Sequence, residues 1–521
     1  MTKIRTSETD PLRIAALPVG GGLVGVTLCP GKQGDSVFGA GWARDLATDL
    51  AAIREWGASA LVSLIEDHEF EMLGVEALPL ALRAAGLEWH HLPVQDVHAP
   101  SPEFETRWVY AGARLRERLR LGERVLVHCR GGLGRAGSVA ARLQVEFGAT
   151  PVDAISQVRA VRPGAIETRE QEQWVHAQRV VDAERDVRSS RQLACLLGGA
   201  IGDALGYRVE FDSLATIRRK HGEQGIRLAA ASGPLIVSDD TQMSLFTLEG
   251  QLRAARDRVP LPVPLNDAIR AAYLNWLQTQ SGRSAAESAK AGVGLLQHRV
   301  LWQLQAPGNT CLSALEAGGK GSVDRPMNNS KGCGGVMRTA PLGFLGDDLD
   351  DAAVYAQGVA AAALTHGHPD GYAPAGVMAL AVRRLLADAS WRDVVEAGLQ
   401  AVQVHRQATG TRQLLQAVGD ALQSPGEGPA SASFGQGWVG DEALAVGLHA
   451  AATASSFSEA IEVASNHDGD SDSTASIAGQ LYGAKHGLAA LPNEAVYRVD
   501  VLEPLLELFA EWVSAARQRA D

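Results

Sequence analysis

The stretch Asn466–Gly483, reading NHDGDSDSTASIAGQLYG, crowds Asp468, Asp470, Asp472, Ser473 and Thr474 into one short turn. An apolar run follows it, with no further charge until Lys485. Oxygen donors at alternate positions, set at the mouth of an apolar helix, suit a hard divalent cation such as Mg²⁺. A solvated acidic loop capping a helix is the plainer reading of such a run taken alone. An EF-hand shares the opening spacing, but its sixth position here is Ser473 rather than Gly and its twelfth is Gly479 rather than Glu. The cation reading gains from a second cluster far upstream, Ser238-Asp239-Asp240-Thr241, which also heads an apolar run. Each cluster supplies the partner that the other lacks, so a fold that holds both must bring two helix starts together.

At 521 residues the chain is too long for one core, and two or three domains are expected. Residues 1–191 carry 23 basic and 25 acidic side chains, and the remainder carries 25 and 35. The acidity therefore lies in the C-terminal part, which argues against a nucleic-acid groove there but leaves room for an anionic substrate held through metal ions. No apolar run reaches membrane-spanning length, and the start MTKIRTSETD lacks the apolar core of a signal peptide. Cysteines 29, 129, 195, 311 and 333 show no paired spacing, so no disulfide framework or zinc site is indicated and a cytoplasmic setting is expected.

In the N-terminal part, residues 13–30 suggest a short strand and hairpin, and Leu46, Leu50, Ile53 and Trp56 mark a helix over about 43–56. Strands follow at 60–64 and 88–92 with a helix at about 76–85 between them. This alternation predicts a parallel α/β sheet. The strand Arg124–His128 then runs into Cys129-Arg130-Gly131-Gly132-Leu133-Gly134-Arg135, with a helix from about Ala136. A cysteine between a strand and a glycine-rich helix start meets a ring of backbone N–H groups, which holds an anion and favours a thiolate. Arg135 can fold back to grip phosphate oxygens in pairs. A single cysteine is more often a buried apolar residue, but three glycines and an arginine in this setting point to phosphate chemistry.

The string HCRGGLGR resembles the signature of cysteine-dependent phosphatases, most closely the dual-specificity branch related to the cyclin-dependent-kinase-associated phosphatase. The resemblance covers roughly residues 38–180 and includes GWARDLATDLAAIREWGA and HHLPVQDVHAPS. It implies Cys129 as nucleophile, Arg135 as phosphate clamp and residues 130–135 as the phosphate cradle. Asp96 would be the general acid, with a turn aspartate as the alternative, and Gln171 would help orient the hydrolytic water. The residue after the arginine is usually Ser or Thr, whose hydroxyl supports the thiolate during turnover. Here it is Ala136, so hydrolysis of the phosphocysteine is expected to be slow.

The charged segment 182–191 has neither Gly nor Pro and reads as a helical connector. Beyond it, helical periodicity recurs at about 193–206, 241–256, 266–280, 286–296, 352–364, 372–387, 392–404, 412–422, 441–451, 457–464, 473–485 and 500–518, which predicts an all-α domain. Residues 423–440, rich in Gly, Ser and Pro, read as a surface loop. The polar punctuation between helices is unusual: GGAIGDALG, SDDTQM, NNSKGCGGVMR, THGHPDGY and GDSDST, in that order.

That ordered set resembles the ADP-ribosylglycohydrolase family, which includes the dinitrogenase-reductase-activating glycohydrolases, over roughly 192–515. The resemblance implies an all-helical fold with two Mg²⁺ ions, hydrolysing the bond at ribose C1″ of an ADP-ribosylated acceptor. It implies Ser238, Asp239 and Asp240 as ligands from one side, and Asp470, Asp472 and Ser473 from the other. Glu210 would approach the metals and the attacking water, and Asp470 would join it in the catalytic set, whereas Asp203 would be structural. Ser330, Gly332 and Gly334 would cradle the diphosphate, with His366 at the ribose side and His368 in the turn before Pro369. Cys333 stands where many relatives have Asn, and Gly437-Trp438 resembles the adenine-side loop, with a packing tryptophan as the equal alternative.

The sequence thus predicts a multidomain chain: an α/β cysteine-phosphatase fold over 1–181, a helical connector over 182–191 and an all-α ADP-ribosylglycohydrolase fold over 192–521. The leading functional expectation is a Mg²⁺-dependent ADP-ribosyl hydrolase fused to a cysteine phosphatase. Its substrates would be an ADP-ribosylated protein or nucleotide and a phosphorylated molecule. The second is a single-activity hydrolase whose N-terminal domain only binds phosphate. The third, a non-catalytic ADP-ribose reader, has no need of two intact acidic clusters.

Overall fold

The computed structural model describes residues 4–35, 39–256, 263–280, 294–346, 348–423 and 431–520. The chain divides into two compact units, Met1–Val187 and Arg188–Asp521. No helix among the described residues is long and apolar enough to cross a membrane.

The first unit is built on strands β1 (Ala15–Val19), β2 (Gly22–Leu28), β5 (Ala58–Ser63), β6 (Glu88–His91) and β7 (Arg124–Cys129), with a two-stranded ribbon, β3 (Gln33–Gly34) and β4 (Trp42–Ala43), beside them. The sheet order is β1-β2-β7-β5-β6. β7 pairs in parallel with both β2 and β5, and only β1 runs antiparallel, at an edge. Side chains alternate across the pleat, as the two-residue period of a strand requires. Val125 and Val127 face a core shared with helices Pro102–Arg120 and Gly134–Glu146, while Leu126 faces Leu50, Ile53, Leu78 and Leu82 on the other side. Both faces are covered, so β7 is an apolar run that ends at the mouth of the sheet, where α/β folds bind ligands. Helices Asp67–Met72, Pro102–Arg120, Pro151–Val161 and Arg169–Ala177 join those expected from the sequence.

The second unit is helical. Its first long helix, Ala183–Gly206, includes the expected connector in its opening turns. Asp239–Arg256, Val263–Thr279, Asp351–Ala363, Pro369–Leu386, Trp391–Ala401, Thr409–Ala421, Gly440–Thr453, Phe457–Ser465, Ser471–His486 and Leu502–Ala520 match the predicted periodic segments. The expected helix at 286–296 falls largely outside the described residues, with Gly294–Gln297 forming a 3₁₀ turn. Leu214–His221 and Asn309–Glu316 are additional helices. In LATIRRKH only Ile217 is buried, so that segment carries no apolar period to read.

Small residues set the spacing between helices Ala183–Gly206 and Ser471–His486. A Cβ added at Gly198 would lie 2.3 Å from the Gly479 carbonyl oxygen, and one at Gly479 only 2.0 Å from that of Gly198. Gly202 and Gly206 abut the carbonyls of Ala475 and Ser471 just as closely, each with its added Cβ 2.1 Å away. The two backbones therefore touch, and the contact carries the polar ends of both helices, Asp203 and Asp472, into one place.

Candidate active sites

In the first unit the loop after β7 folds under its own sulfur. Gly132 has φ +67°, and an added Cβ would sit 2.3 Å from the Thr27 carbonyl oxygen, so only glycine fits there. The turn lets the Gly132 N–H donate to Cys129 Sγ at 3.2 Å. Arg135 is 1 % exposed, and both of its terminal nitrogens are engaged while its Nε has no partner. It donates to both carboxylate oxygens of Glu69 at 2.5 and 3.0 Å and to the Leu64 and Val94 carbonyls at 3.2 and 2.9 Å. Burial opposes ionisation of Glu69, but the bonds from Arg135 and from the Glu66 N–H outweigh it and hold its pKa below the usual range.

Asp96 Oδ1 lies 3.1 Å from Arg135 Nη2, which sets the expected general acid at the rim of the loop. Its neighbour Val97 has φ +61°, a backbone region that β-branched residues rarely enter. Gln171 is fully buried and joins two loops, with Nε2 donating to the His98 carbonyl and Oε1 accepting from the Glu167 N–H. The Gly134 N–H donates to Glu167 Oε2 at 2.8 Å. His128 is buried, bonds Ser63 through Nε2, and has its pKa lowered to about 3 by burial, so it is neutral. Glu69 and Glu167 were not singled out from the sequence. Both lie in charged strings whose facing direction depends on tertiary packing.

In the second unit the two acidic helix starts meet. Ser473 Oγ donates to Asp240 Oδ1 at 3.3 Å, across 233 residues of chain. Glu210, Asp470 and Asp472 bring carboxylate oxygens within 4.8 Å of one another. Asp470 and Asp472 both accept from the Ser473 N–H, at 3.3 and 2.9 Å. Asp239 Oδ2 accepts from the Gly308 N–H at 3.2 Å, while its own N–H donates to the Gln305 carbonyl. Between those two residues Ala306 has φ +51°. Ser238 Oγ accepts from the Asp240 N–H at 3.2 Å, so its hydroxyl oxygen faces its own helix start. Asp203 bonds not within its own turn but across to this helix start, accepting from the Ser238 and Thr241 N–H groups at 2.9 and 3.0 Å. Two residues of the acidic turn point elsewhere. Asp468 is exposed and accepts from the Leu214 N–H, and Thr474 donates to the Ala464 and Asp470 carbonyls.

The electrostatics of this cluster are severe. Burial and then the Asp472 charge push Asp203 up to about 7, and push Glu210 up to about 9 with Asp239 adding to them. Asp239, Asp240 and Asp470 are raised well above the usual carboxylate range, again by burial first, with Asp472 contributing to each. Asp240 Oδ2 and Glu210 Oε2 are buried and have no hydrogen-bond partner. Orphaned carboxylate oxygens in a buried acidic cluster fit a hard divalent cation, which would supply the missing partner and offset the repulsion.

A glycine-rich loop adjoins the cluster. Ser330 Oγ accepts from the Gly332 N–H at 3.3 Å and contacts Thr310 Oγ1 at 3.0 Å. The His366 ring lies against Gly332 and Gly334, where added Cβ atoms would come within 3.4 and 3.2 Å of it. His366 bonds Thr365 through Nδ1, and burial together with the Arg338 charge lowers its pKa to about 3. Arg338, missed from the sequence, is a fully buried cation that donates to Thr365 Oγ1 at 2.6 Å and lies over the Tyr273 ring. The Cys333 thiol contacts Asp470 and Ser473, and the Cys333 N–H donates to the Trp438 carbonyl at 3.2 Å. Trp438 is no core residue: it is 42 % exposed and stacks on the still more exposed Phe211 at 6.3 Å. His368 caps helix Pro369–Leu386, with Nδ1 accepting from the Asp370 N–H.

Comparison with known proteins agrees with this division. Residues 184–521 match the family model described as ADP-ribosylglycohydrolase, and residues 46–175 match that of the Swiss Army Knife protein, DSP-PTPase phosphatase domain. The ADP-ribosyl-[dinitrogen reductase] glycohydrolase of Rhodospirillum rubrum is 26 % identical over 325 residues, which is 60 % of this chain and 90 % of that protein. Cyclin-dependent kinase inhibitor 3 of Rattus norvegicus is 27 % identical over 176 residues, 32 % of this chain and 79 % of that one. A solved ADP-ribosylglycohydrolase-related protein complex is similar at 24 % identity and a TM-score of 0.43, covering 63 % of this chain and 99 % of that chain.

Proposed function

Because the chain belongs to the ADP-ribosylglycohydrolase family, and carries in residues 46–175 a dual-specificity phosphatase domain, we propose that it is a two-site hydrolase. The C-terminal site would release ADP-ribose from a modified acceptor in a Mg²⁺-dependent way, and the N-terminal site would cleave a phosphate ester. The observation that carries the first part is the meeting of Asp239 and Asp240 with Glu210, Asp470 and Asp472 around orphaned carboxylate oxygens.

Asp239, Asp240, Asp470 and Asp472, with Ser238 and Ser473, would hold two Mg²⁺ ions. Bound there, the ions would fix the ribose hydroxyls and acidify a water below C1″. Glu210, with a carboxylate oxygen within 4.8 Å of those of Asp470 and Asp472, would orient that water and, once cations offset the repulsion that raises its pKa, take its proton. Positive charge developing on the ribose ring would be offset by the surrounding carboxylates. The loop of Ser330, Gly332 and Gly334 would receive the diphosphate, the Ser330 and Gly332 N–H groups exchanging their Asn328 and Ser330 side-chain acceptors for it. His366, neutral and pinned by Thr365, would present its other ring nitrogen to the ribose side.

In the N-terminal site the Cys129 thiolate would attack phosphorus while Arg135 holds the equatorial oxygens and Asp96 protonates the leaving oxygen. A phosphate-binding module without turnover is the second reading, and Ala136 favours it. Repeated turnover of an aryl phosphate, lost in Cys129→Ser, would exclude it.

The test of the main reading is ADP-ribose release from arginine- and serine-linked ADP-ribosyl peptides, with Mg²⁺ and with chelator. Metal-dependent release by the wild type and none by Asp470→Ala would establish the activity and its linkage. Release that survives both chelator and Asp470→Ala would sink it.

A further inference from the structure

Glu167 reaches the start of the cradle's helix, a part that, among the described residues, no other acidic side chain is seen to bond. Its Oε2 accepts from the Gly134 N–H at 2.8 Å, where the loop would receive a phosphate oxygen. The side chain is exposed, so it can pivot aside when phosphate enters. Its backbone is firmly placed. The Glu167 N–H donates to Oε1 of the buried Gln171 at 2.9 Å, and Arg159 donates to the Ala165 and Ile166 carbonyls at 3.1 and 3.0 Å. Ile166 itself is buried with φ +59°. A β-branched residue in that region is strained, and such strain persists where the surrounding structure enforces it, often at functional sites. Gly134 completes the arrangement, because an added Cβ would lie 2.4 Å from Glu167 Oε2 and 2.8 Å from Gln171 Oε1.

The rim of the cradle therefore carries two carboxylates, Asp96 beside strained Val97 and Glu167 beside strained Ile166. We propose that Glu167 is a catalytic base for the second half-reaction, the hydrolysis of phosphocysteine, leaving Asp96 to serve the leaving group of the first. The inference rests on the phosphatase reading of Cys129. In the step, a water oxygen bonds to phosphorus as the phosphorus–sulfur bond breaks. The electron pair returns to Cys129 as thiolate, the water proton passes to the Glu167 carboxylate, and inorganic phosphate leaves. Ala136 offers the departing thiolate no hydroxyl, and the Gly132 N–H at 3.2 Å is its local donor. A carboxylate that activates the water would compensate for that missing hydroxyl.

The test is rapid-quench kinetics of the full chain with p-nitrophenyl phosphate, comparing wild type, Cys129→Ser and Glu167→Gln. For Glu167→Gln the expected result is a burst of about one nitrophenol per chain, with trapped phosphocysteine. Its steady-state turnover should fall about 10²-fold, and added formate should restore it. Faster turnover at lower KM with no trapped phosphocysteine would mean that the carboxylate only plugs the cradle, and would overturn the proposal. Unchanged turnover would overturn it equally. If the wild type neither forms phosphocysteine nor releases phosphate, the phosphatase reading falls and this inference falls with it. If the wild type turns over and Cys129→Ser does not, the phosphatase reading stands whatever Glu167→Gln does.

Discussion

The two sites use the same structural device, the start of a helix, with opposite charge. In the N-terminal unit the helix Gly134–Glu146 begins behind a loop whose N–H groups face the sulfur and the cradle, with Arg135 beneath. In the C-terminal unit the starts of Asp239–Arg256 and Ser471–His486 are already capped by carboxylates, the first by one from helix Ala183–Gly206. Asp203 takes the Ser238 and Thr241 N–H groups, and Asp470 and Asp472 share that of Ser473. A helix N-terminus attracts anions because its first N–H groups are unsatisfied. Where side chains have consumed those donors, every further carboxylate is repelled rather than held, and Asp240 and Glu210 are left with orphaned oxygens. Whether a helix start binds an anion or calls for a cation thus depends on which groups have claimed its amides.

Separating the two chemistries gives the largest expected effect. Cys129→Ser should remove phosphate release altogether while ADP-ribose release continues, and chelator should do the reverse. A joint loss in either experiment would break the comparison, and assays of both products from one preparation would show it.

The next effect is a pH dependence of stability at the acidic cluster. Asp203 and Glu210 have folded-state pKa values raised to about 7 and about 9, well above those of free carboxylates. Between the unfolded and folded values the native state binds more protons, so its stability is complete below the unfolded pKa and falls as pH rises through the folded one. In chelator, the melting temperature of the C-terminal unit should therefore decline by several degrees between about pH 5 and pH 9. Saturating Mg²⁺ should abolish that decline, and a calorimetric pH series checks it.

A smaller effect should come from the helix contact that brings the acidic starts together. Gly479→Ala places a methyl against the Gly198 carbonyl, which would sit 2.0 Å away. It should destabilise the C-terminal unit by about 1–3 kcal/mol. Mg²⁺ affinity should weaken as the start of the Asp472 helix shifts relative to Asp240 and Glu210, with the phosphate-ester reaction unchanged. Denaturant melts and a Mg²⁺ titration of the variant measure both.

The same comparison explains what the sequence discloses. The string from Cys129 to Arg135 is contiguous, so strand, loop, helix start and clamp are legible at once. The cation site is dispersed, yet each half is legible because Asp239-Asp240 and Asp470–Ser473 stand at the head of their own apolar runs. What depends on packing is not legible. Glu69 grips Arg135 from a charged segment with no distinguishing spacing, and Arg338 is a buried cation within an apolar run. Asp468 has the ligand spacing of its neighbours but is exposed and accepts from the Leu214 N–H instead. Glu167 is found only through the left-handed backbone of Ile166, which no residue pattern announces.

The most direct test of the account is a count of bound Mg²⁺ by titration calorimetry on the full chain at pH 8, for wild type and Asp472→Asn. Two ions bound per wild-type chain, and fewer in the variant, are the expected results. Failure of the wild type to bind Mg²⁺, or binding that Asp472→Asn leaves untouched, would contradict the claim that the joined acidic helix starts form the metal centre.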